Sequence, residues 1–213
     1  MLEFVDMQIA ELLCSRLCHE LASPIGAVNN GIEMIEEFDG SMLQDALPLI
    51  GSSAKMAAAR LNFYRMAYGT AGTQSIASLN DLKELAGSYF AEGRTGLSWP
   101  ADSLEPALED GWGKLLLNIL SLAADTLPRG GVLSVAFDED SSAARITVAA
   151  EGEGARISEE CRLAMSPDVS LDSLTPRSVH AYFVARLSER LLIGIDIGEE
   201  ITGRIAFTVR LTR

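Results

Sequence analysis

The first seventy residues carry apolar side chains at the three- and four-residue spacing of amphipathic helices. One run forms a single stripe on a first helix, predicted over residues 5–38: Leu13, Leu17, Leu21, Pro24, Val28, Ile32 and Ile35. A second run keeps the strict spacing of a coiled-coil seam: Leu43, Leu47, Ile50, Ala54, Ala57, Leu61, Tyr64 and Tyr68. Asp39-Gly40 is a typical helix end, and Ser41 is the predicted cap of the second helix. The pattern predicts an antiparallel helical hairpin.

Such a hairpin has more apolar surface than one partner helix can cover. Pairing of two chains into a four-helix bundle is an economical way of burying both apolar faces. We therefore expect a homodimer that forms through residues 5–68.

His19 is one of only two histidines, and it faces away from the apolar stripe of the first helix. At about 100° per residue it lies roughly opposite Leu17 and Leu21. Residues that share its face are mostly small or polar: Ser15, Arg16, Ala22, Ser23, Gly26, Asn30 and Glu33. Another protein's backbone can therefore approach the imidazole closely.

Pro24 lies inside the same helix and has no N–H to donate to the carbonyl of Glu20. It therefore loosens the turn that follows His19. A lone helical histidine is often just a solvated or core residue, but a plain structural helix has no reason to tolerate this proline. The context favours a functional histidine.

The net charge of −13 limits the classes of partner. Nucleic acids and anionic membranes both attract basic surfaces, so neither is an expected partner. No apolar run approaches the roughly 20 residues that span a bilayer, and the N-terminus lacks the basic start of a signal peptide. These features predict a cytoplasmic protein.

Three cysteines, an odd number, fit a reducing compartment: Cys14, Cys18 and Cys161. Cys14 and Cys18 lie one helical turn apart beside His19, which raises the alternative of a metal or redox site. The sequence has no second histidine or cysteine cluster to complete four metal ligands. We therefore interpret both as small packing residues and predict no metal site.

Residues 69–75 form a small, polar, glycine-containing stretch that predicts a boundary between a hairpin domain, 1–69, and a second domain, 74–213. The second domain has strand-like runs at 75–78, 96–99, 132–137, 144–149, 195–199 and 204–211. Helix candidates lie at 80–91, 105–127, 158–165 and 176–192. This order predicts an α+β fold with helices on one face of a mixed sheet.

The segment Leu17-Cys-His-Glu-Leu-Ala-Ser-Pro-Ile25 resembles the phosphoacceptor box of dimeric two-component histidine kinases, with Ala22 where those kinases usually have a basic residue. The order of elements from residue 74 onward resembles their ATP-binding domain. Asn118 matches the first asparagine of the kinases' asparagine box. The resemblance implies a dimerisation and phosphotransfer hairpin followed by a histidine-kinase-ATPase-like, Bergerat-type α/β sandwich.

Three features of the kinases' ATP site are missing. Leu122 stands where the kinases hold Mg²⁺ with an asparagine. In the stretch Ala150-Glu151-Gly152-Glu153-Gly154, alanine replaces the aspartate that binds adenine, and two glutamates add negative charge. The glycines of a phosphate-binding lid are absent between Gly154 and Gly194. We therefore predict that the second domain is degenerate and binds no ATP.

A phosphoacceptor hairpin followed by a kinase-like domain without its ATP-binding residues resembles the ChpT-type histidine phosphotransferases, which are phosphorelay intermediates. The resemblance implies that His19 accepts a phosphoryl group from one receiver domain's aspartate and passes it to another. The implied partners are receiver domains of a hybrid histidine kinase and of response regulators. It implies no cofactor of the chain's own, because the Mg²⁺ belongs to the receiver.

Several residues around His19 are candidates for the same site. Glu20 is expected to accept a hydrogen bond from the second ring nitrogen and thereby activate the first. Contacts with the partner are expected from a set on the His19 face: Arg16, Ala22, Ser23, Gly26 and Asn30. His180 is assigned a structural role, and Arg177 is a candidate part of a docking surface. The alternatives are an ATP-dependent histidine kinase and a non-catalytic dimeric scaffold.

Overall fold

The computed structural model describes residues 7–37, 41–70, 78–100, 110–140, 143–201 and 203–211. Six α-helices of these residues are α1 Met7–Glu37, α2 Leu43–Ala67, α3 Leu79–Phe90, α4 Trp112–Asp125, α5 Glu159–Ala164 and α6 Val179–Arg190. The strands are β1 Thr95–Ser98, β2 Gly131–Asp140, β3 Ala143–Glu151, β4 Ile195–Ile201 and β5 Arg204–Leu211, and a 3₁₀ turn spans Leu171–Ser173. The predicted α+β class is confirmed, because a two-helix hairpin precedes a domain of helices and a mixed sheet, while the dimeric four-helix bundle stays a prediction.

The hairpin is antiparallel and tightly packed where α1 and α2 meet. A Cβ atom on Gly31 would lie 2.5 Å from Cγ1 of Ile50, so the glycine permits the close approach of the helices. Pro24 is buried in α1, as the apolar stripe predicts. The predicted Ser41 cap is wrong, because Met42 occupies the cap position and makes no side-chain cap hydrogen bond. The predicted helix end at Asp39-Gly40 lies outside the described residues.

Part of the predicted coiled-coil seam has no cover within one chain. Leu47 and Leu61 of α2 are 54% and 58% exposed. Leu43 of α2, and Ile25 and Ile32 of α1, are exposed as well. The hairpin thus buries one face internally and leaves a second apolar face at the surface.

The second domain contains a five-stranded mixed sheet in the order β1-β2-β3-β5-β4. β1 pairs parallel to β2, and the other three pairings are antiparallel. Inward-facing residues of β5 show the period of two expected for a half-covered sheet, because Ile205, Phe207 and Val209 are buried while Ala206 and Thr208 are not. Helix α4 is buried along nearly its whole length and packs on this face.

Most predicted elements of this domain occur within a few residues of their predicted bounds. The helix predicted over 105–127 is described from Trp112 to Asp125, since 101–109 lie outside the described residues. Residues 75–77 of the first predicted strand also lie outside them. Ser78, the last residue of that run, caps α3 instead, and its hydroxyl accepts from the N–H of Asp81 at 3.1 Å.

One hydrophobic core joins the end of the hairpin to the second domain. Phe63 of α2 is fully buried, and its ring stacks on Tyr89 of α3 at a centroid distance of 4.0 Å. Phe90 packs edge-on against the Phe63 ring at a centroid distance of 6.5 Å. The predicted boundary within 69–75 falls mostly on residues outside the described ranges, so it stays a prediction. None of the described helices is long and apolar enough to cross a membrane.

Candidate functional site

His19 lies in the middle of α1 and is exposed. Among the described residues, no hydrogen bond or ion pair involves its imidazole ring. Ala22, Ser23 and Asn30 are exposed along the same face, and the position of a Cβ on Gly26 is open space. The helical spacing therefore places the predicted small, polar face at the surface, while its contacts with a partner stay a prediction.

Glu20 does not meet His19 as expected. Its carboxylate Oε2 lies 3.3 Å from Nη1 of Arg60, which comes from α2. The same Nη1 donates to the backbone carbonyl of Glu20. That carbonyl is the group that Pro24 leaves without a helical donor, so Arg60 replaces the missing backbone N–H. The sequence showed that the Glu20 carbonyl lacks its helical N–H donor, but not that Arg60 replaces this donor. A catalytic role for Glu20 stays a prediction.

This replacement predicts energetic coupling between Arg60 and Pro24. We expect Arg60→Ala to lower the free energy of unfolding by about 1.5–3 kcal/mol, the range for hydrogen bonds to charged groups. In a Pro24→Ala background the new N–H can bond to the Glu20 carbonyl, so the same change should cost about 1 kcal/mol less. Urea unfolding of the two single variants, the double variant and the wild type measures this difference.

Arg65→Ala is the matched control, because Arg65 is another arginine of α2 and is exposed. It should show the same small effect with Pro24 or Ala at position 24. Additive effects of Arg60→Ala and Pro24→Ala would contradict the assigned bond.

Arg16, predicted to contact a partner, has a partner within the chain. Its Nη2 donates to Oδ2 of Asp125 at the end of α4, at 2.7 Å. The Arg16 side chain is only 14% exposed and that of Asp125 is 36% exposed. The same carboxylate oxygen lies 3.3 Å from Nδ1 of His180 in α6. Sequence reasoning placed Arg16 on the His19 face but did not find this contact, which joins residues 109 positions apart.

His180 and Asn118 continue the chain of polar contacts into the core. Nε2 of the fully buried His180 lies 3.2 Å from Oδ1 of Asn118. The Asn118 amide Nδ2 donates to the carbonyl of Ala67 at 2.7 Å and to that of Lys114 at 2.8 Å. The structural role predicted for His180 is consistent with these contacts. We call Arg16, Asp125, His180 and Asn118 the interdomain polar chain.

The C-terminal end of α2 is capped by side chains of α4. Asn118 binds the Ala67 carbonyl, and Nζ of Lys114 donates to the carbonyls of Tyr68 and Gly69, both at 3.1 Å. These carbonyls belong to the last residue of α2 and to the two residues that follow it, where no helical N–H is available to donate. The residue that matches the kinases' asparagine box therefore holds the hairpin in place in this structure.

The charges of the interdomain polar chain support one another. Desolvation would raise the pKa of Asp125, but the hydrogen bond from His180 and the positive charge of Arg16 outweigh it and lower that pKa. Burial works against a charged Arg16, yet Asp125 raises the pKa of the guanidinium above its usual value. Burial lowers the pKa of His180 despite the opposing carboxylate. The chain therefore holds an Arg16–Asp125 ion pair beside a buried imidazole whose two nitrogens each face an oxygen acceptor.

Residues at the positions of the kinases' ATP site are packed against other parts of the chain. Leu122 and Ala150 are both buried in the core. Gly152 is explained by packing, because a Cβ there would lie 2.5 Å from the Gly130 carbonyl oxygen. A pocket of about 150 Å³ beside Leu122 and Asp125 falls below the roughly 300 Å³ at which small-molecule sites begin.

The two glutamates of this stretch each have an arginine partner. Glu151 Oε1 accepts from Nε of Arg204 at 2.9 Å, and Glu153 pairs with Arg129. Because each carboxylate has an arginine beside it, their repulsion toward a triphosphate is weaker than the sequence suggested. ATP binding is disfavoured mainly by Leu122 and Ala150, which lack the polar groups of the kinases, and by Asn118, whose amide is already bonded.

Comparison with known proteins supports an assignment. The fold is similar to that of a bacterial phosphotransferase solved at 1.7 Å, with a TM-score of 0.80, 32% sequence identity and coverage of 98% of both chains. The chain is also 34% identical to the Protein phosphotransferase ChpT of Brucella abortus (strain 2308) over 195 residues, which is 90% of each protein. Residues 79–201 match the family described as Histidine phosphotransferase C-terminal domain.

Fold and sequence together define the chain as a phosphotransferase. More narrowly, it belongs to the family of ChpT-type histidine phosphotransferases, with a role in a two-component phosphorelay. The resemblance drawn from the His19 segment and the degenerate second domain is thereby confirmed.

Proposed function

We propose that His19 carries the phosphoryl group between the aspartates of two receiver domains. The observation that supports this most directly is the exposed His19 ring, which has no hydrogen-bond partner among the described residues. His180, the other histidine, is fully buried and is engaged on both nitrogens. A receiver can therefore reach the first imidazole but not the second.

The proposed transfer needs little chemistry from this chain. A ring nitrogen of His19 attacks phosphorus, the P–N bond forms, and the bond to the receiver's carboxylate oxygen breaks. That carboxylate leaves with its electron pair, and the reverse reaction passes the phosphoryl group to the second receiver's aspartate. The receiver's Mg²⁺ neutralises the phosphoryl oxygens, so this protein contributes mainly the position of the imidazole. No cofactor of its own enters this proposal.

Receiver docking is assigned to the exposed face of α1. Ala22, Ser23 and Gly26 are small, so they allow a partner's backbone to approach His19, and Asn30 offers an amide for hydrogen bonding. The proposed partners are the receiver domains of a hybrid histidine kinase and of response regulators. A cytoplasmic location, where such receivers are found, is part of the same proposal.

We also propose that the hairpin pairs with a second copy to form a four-helix bundle. The support is the apolar face at Leu47 and Leu61, which a single chain leaves exposed. Each dimer would then present two copies of His19.

The test mixes the unmodified protein with a phosphorylated receiver domain and follows acid-labile phosphate. Peptide mapping should locate the label on the peptide that contains His19 and not on the one that contains His180. A second, unphosphorylated receiver added afterwards should take up the label. Absence of transfer from several receivers, or label on an aspartate or serine only, would refute the proposal.

The kinase alternative makes an opposite prediction about nucleotide binding. We expect no measurable binding of Mg²⁺-ATP, because Ala150 lacks the adenine-binding carboxylate, a loss of about 1.5–3 kcal/mol, and Leu122 cannot hold the cation. The Asn118 amide is also occupied by the Ala67 and Lys114 carbonyls. Isothermal calorimetry checks this, and a micromolar dissociation constant or labelling of His19 from ATP alone would favour the kinase.

A further inference from the structure

The interdomain polar chain is not needed for the chemistry proposed above. None of its members contacts the ring of His19, and its innermost member, Asn118, is fully buried. Polar groups are expensive to bury unless every one is bonded, and an apolar cluster would hold two domains together more simply. The structure nevertheless carries the chain from the core to the α1 turn that precedes His19.

Contacts on both sides of His19 fix the backbone of this part of α1. On the N-terminal side, Arg16 is bound to Asp125 of the second domain. On the C-terminal side, the carbonyl of Glu20 is bound by Arg60 of α2. The α1 segment that carries the imidazole is therefore bound at two residues only a few positions apart. One of these two contacts is made by the second domain.

We propose that Arg16, Asp125 and His180 are positioning residues for phosphoryl transfer through His19. His180 donates from Nδ1 to the Asp125 carboxylate, the carboxylate orients Arg16, and Arg16 holds the turn before His19 at a fixed place on the second domain. This inference rests on the proposed function of His19. In-line attack requires the reacting atoms at about 3–3.5 Å, and a displacement of about 1 Å costs up to about a hundredfold in rate.

The nearest competing explanation is that Arg16 binds the receiver or its phosphoryl group directly. The two explanations differ in what Asp125 does. If Arg16 is a direct ligand, removing the Asp125 charge frees the guanidinium and leaves transfer unchanged or faster. If Arg16 is a positioning residue, removing that charge has the same effect as removing the guanidinium.

The experiment compares Arg16→Gln, Asp125→Asn and the double variant with the wild type in single-turnover transfer from a phosphorylated receiver domain. We expect each variant to lower the maximal rate of transfer about tenfold to a hundredfold. The double variant should be no slower than the slower single variant, since both changes break one chain. The receiver concentration at half-maximal rate should stay within about twofold of wild type, because the docking face is untouched.

Arg129→Gln is the control, since it removes another arginine–carboxylate pair of the second domain, with Glu153, whose two side chains are 68% and 75% exposed. It should transfer at the wild-type rate. An increase in the half-saturating concentration with Arg16→Gln alone, or a wild-type rate for Asp125→Asn, would overturn the proposal. Circular dichroism on each variant checks that a lower rate does not reflect unfolding.

A second measurement tests the contact between His180 and Asp125 without any transfer reaction. Because the chain has two histidines, the His19→Ala protein labelled with ¹⁵N-histidine reports on His180 alone. We expect its Nδ1 to carry a proton in the ring ¹⁵N spectrum and the tautomer to change in the additional Asp125→Asn variant. An unprotonated Nδ1 would overturn the positioning proposal alone, whereas a wild-type protein that is never labelled on His19 would refute the proposed function on which it rests.

Discussion

Replacing His19 by alanine is expected to abolish acid-labile labelling from a phosphorylated receiver while the protein stays folded. The ring is exposed and makes no described hydrogen bond, so its removal should change the free energy of unfolding by less than about 0.5 kcal/mol. The loss of phosphate should be complete, because the second histidine is buried and inaccessible. Phosphate stability in acid and base, together with a thermal unfolding scan, measures both parts.

His180→Asn is the comparison for this result. If the positioning proposal holds, this variant is labelled slowly but reaches the wild-type amount of phosphate on His19. Label that persists in His19→Ala and disappears in His180→Asn would contradict the assignment of the phosphoacceptor.

A charge on the exposed seam is expected to separate the two chains without unfolding them. Leu47→Glu removes about 1.5–3 kcal/mol of apolar burial per chain and places a carboxylate in the interface. Because both chains carry the change, association should weaken by at least about two orders of magnitude. Sedimentation at micromolar concentration should show the wild type at twice the 22.8 kDa chain mass and the variant as a monomer.

Two matched variants separate association from folding. Ile50 faces Gly31 inside one hairpin, so Ile50→Glu should destabilise the fold as well as the dimer. Leu192 is 90% exposed and follows α6 in the second domain, outside the hairpin sequence, so Leu192→Glu should leave the dimer intact. A wild-type protein that sediments as a monomer at micromolar concentration would rule out the four-helix bundle.

Much of the architecture follows from local patterns in the sequence. Helical spacing predicted α1, α2 and the outward position of His19, because side-chain direction along a helix depends only on the turn per residue. The strands and helices of the second domain follow from short runs of apolar and β-branched residues bounded by turns. The family resemblance also depends on contiguous motifs, which need no tertiary information.

Local sequence patterns did not predict the contacts of side chains that have several possible partners. Glu20 is next to His19 in sequence, but neighbouring residues of a helix do not face each other, and its carboxylate pairs with Arg60 instead. Ser41 is a good capping residue, yet the cap position is taken by Met42. Glu151 and Glu153 looked like free charges because their arginine partners come from other turns and strands.

Periodicity and contiguous motifs were enough to predict the helical hairpin, the α+β domain, the exposed histidine and the loss of the kinase's ATP-binding residues. The bond from Arg60 to the carbonyl freed by Pro24, and the interdomain polar chain, became visible only once the helices were packed together. The contacts of that chain join residues 55 to 109 positions apart. A periodic pattern fixes the direction of a side chain along its own helix, whereas a bond between helices depends on how the whole core packs.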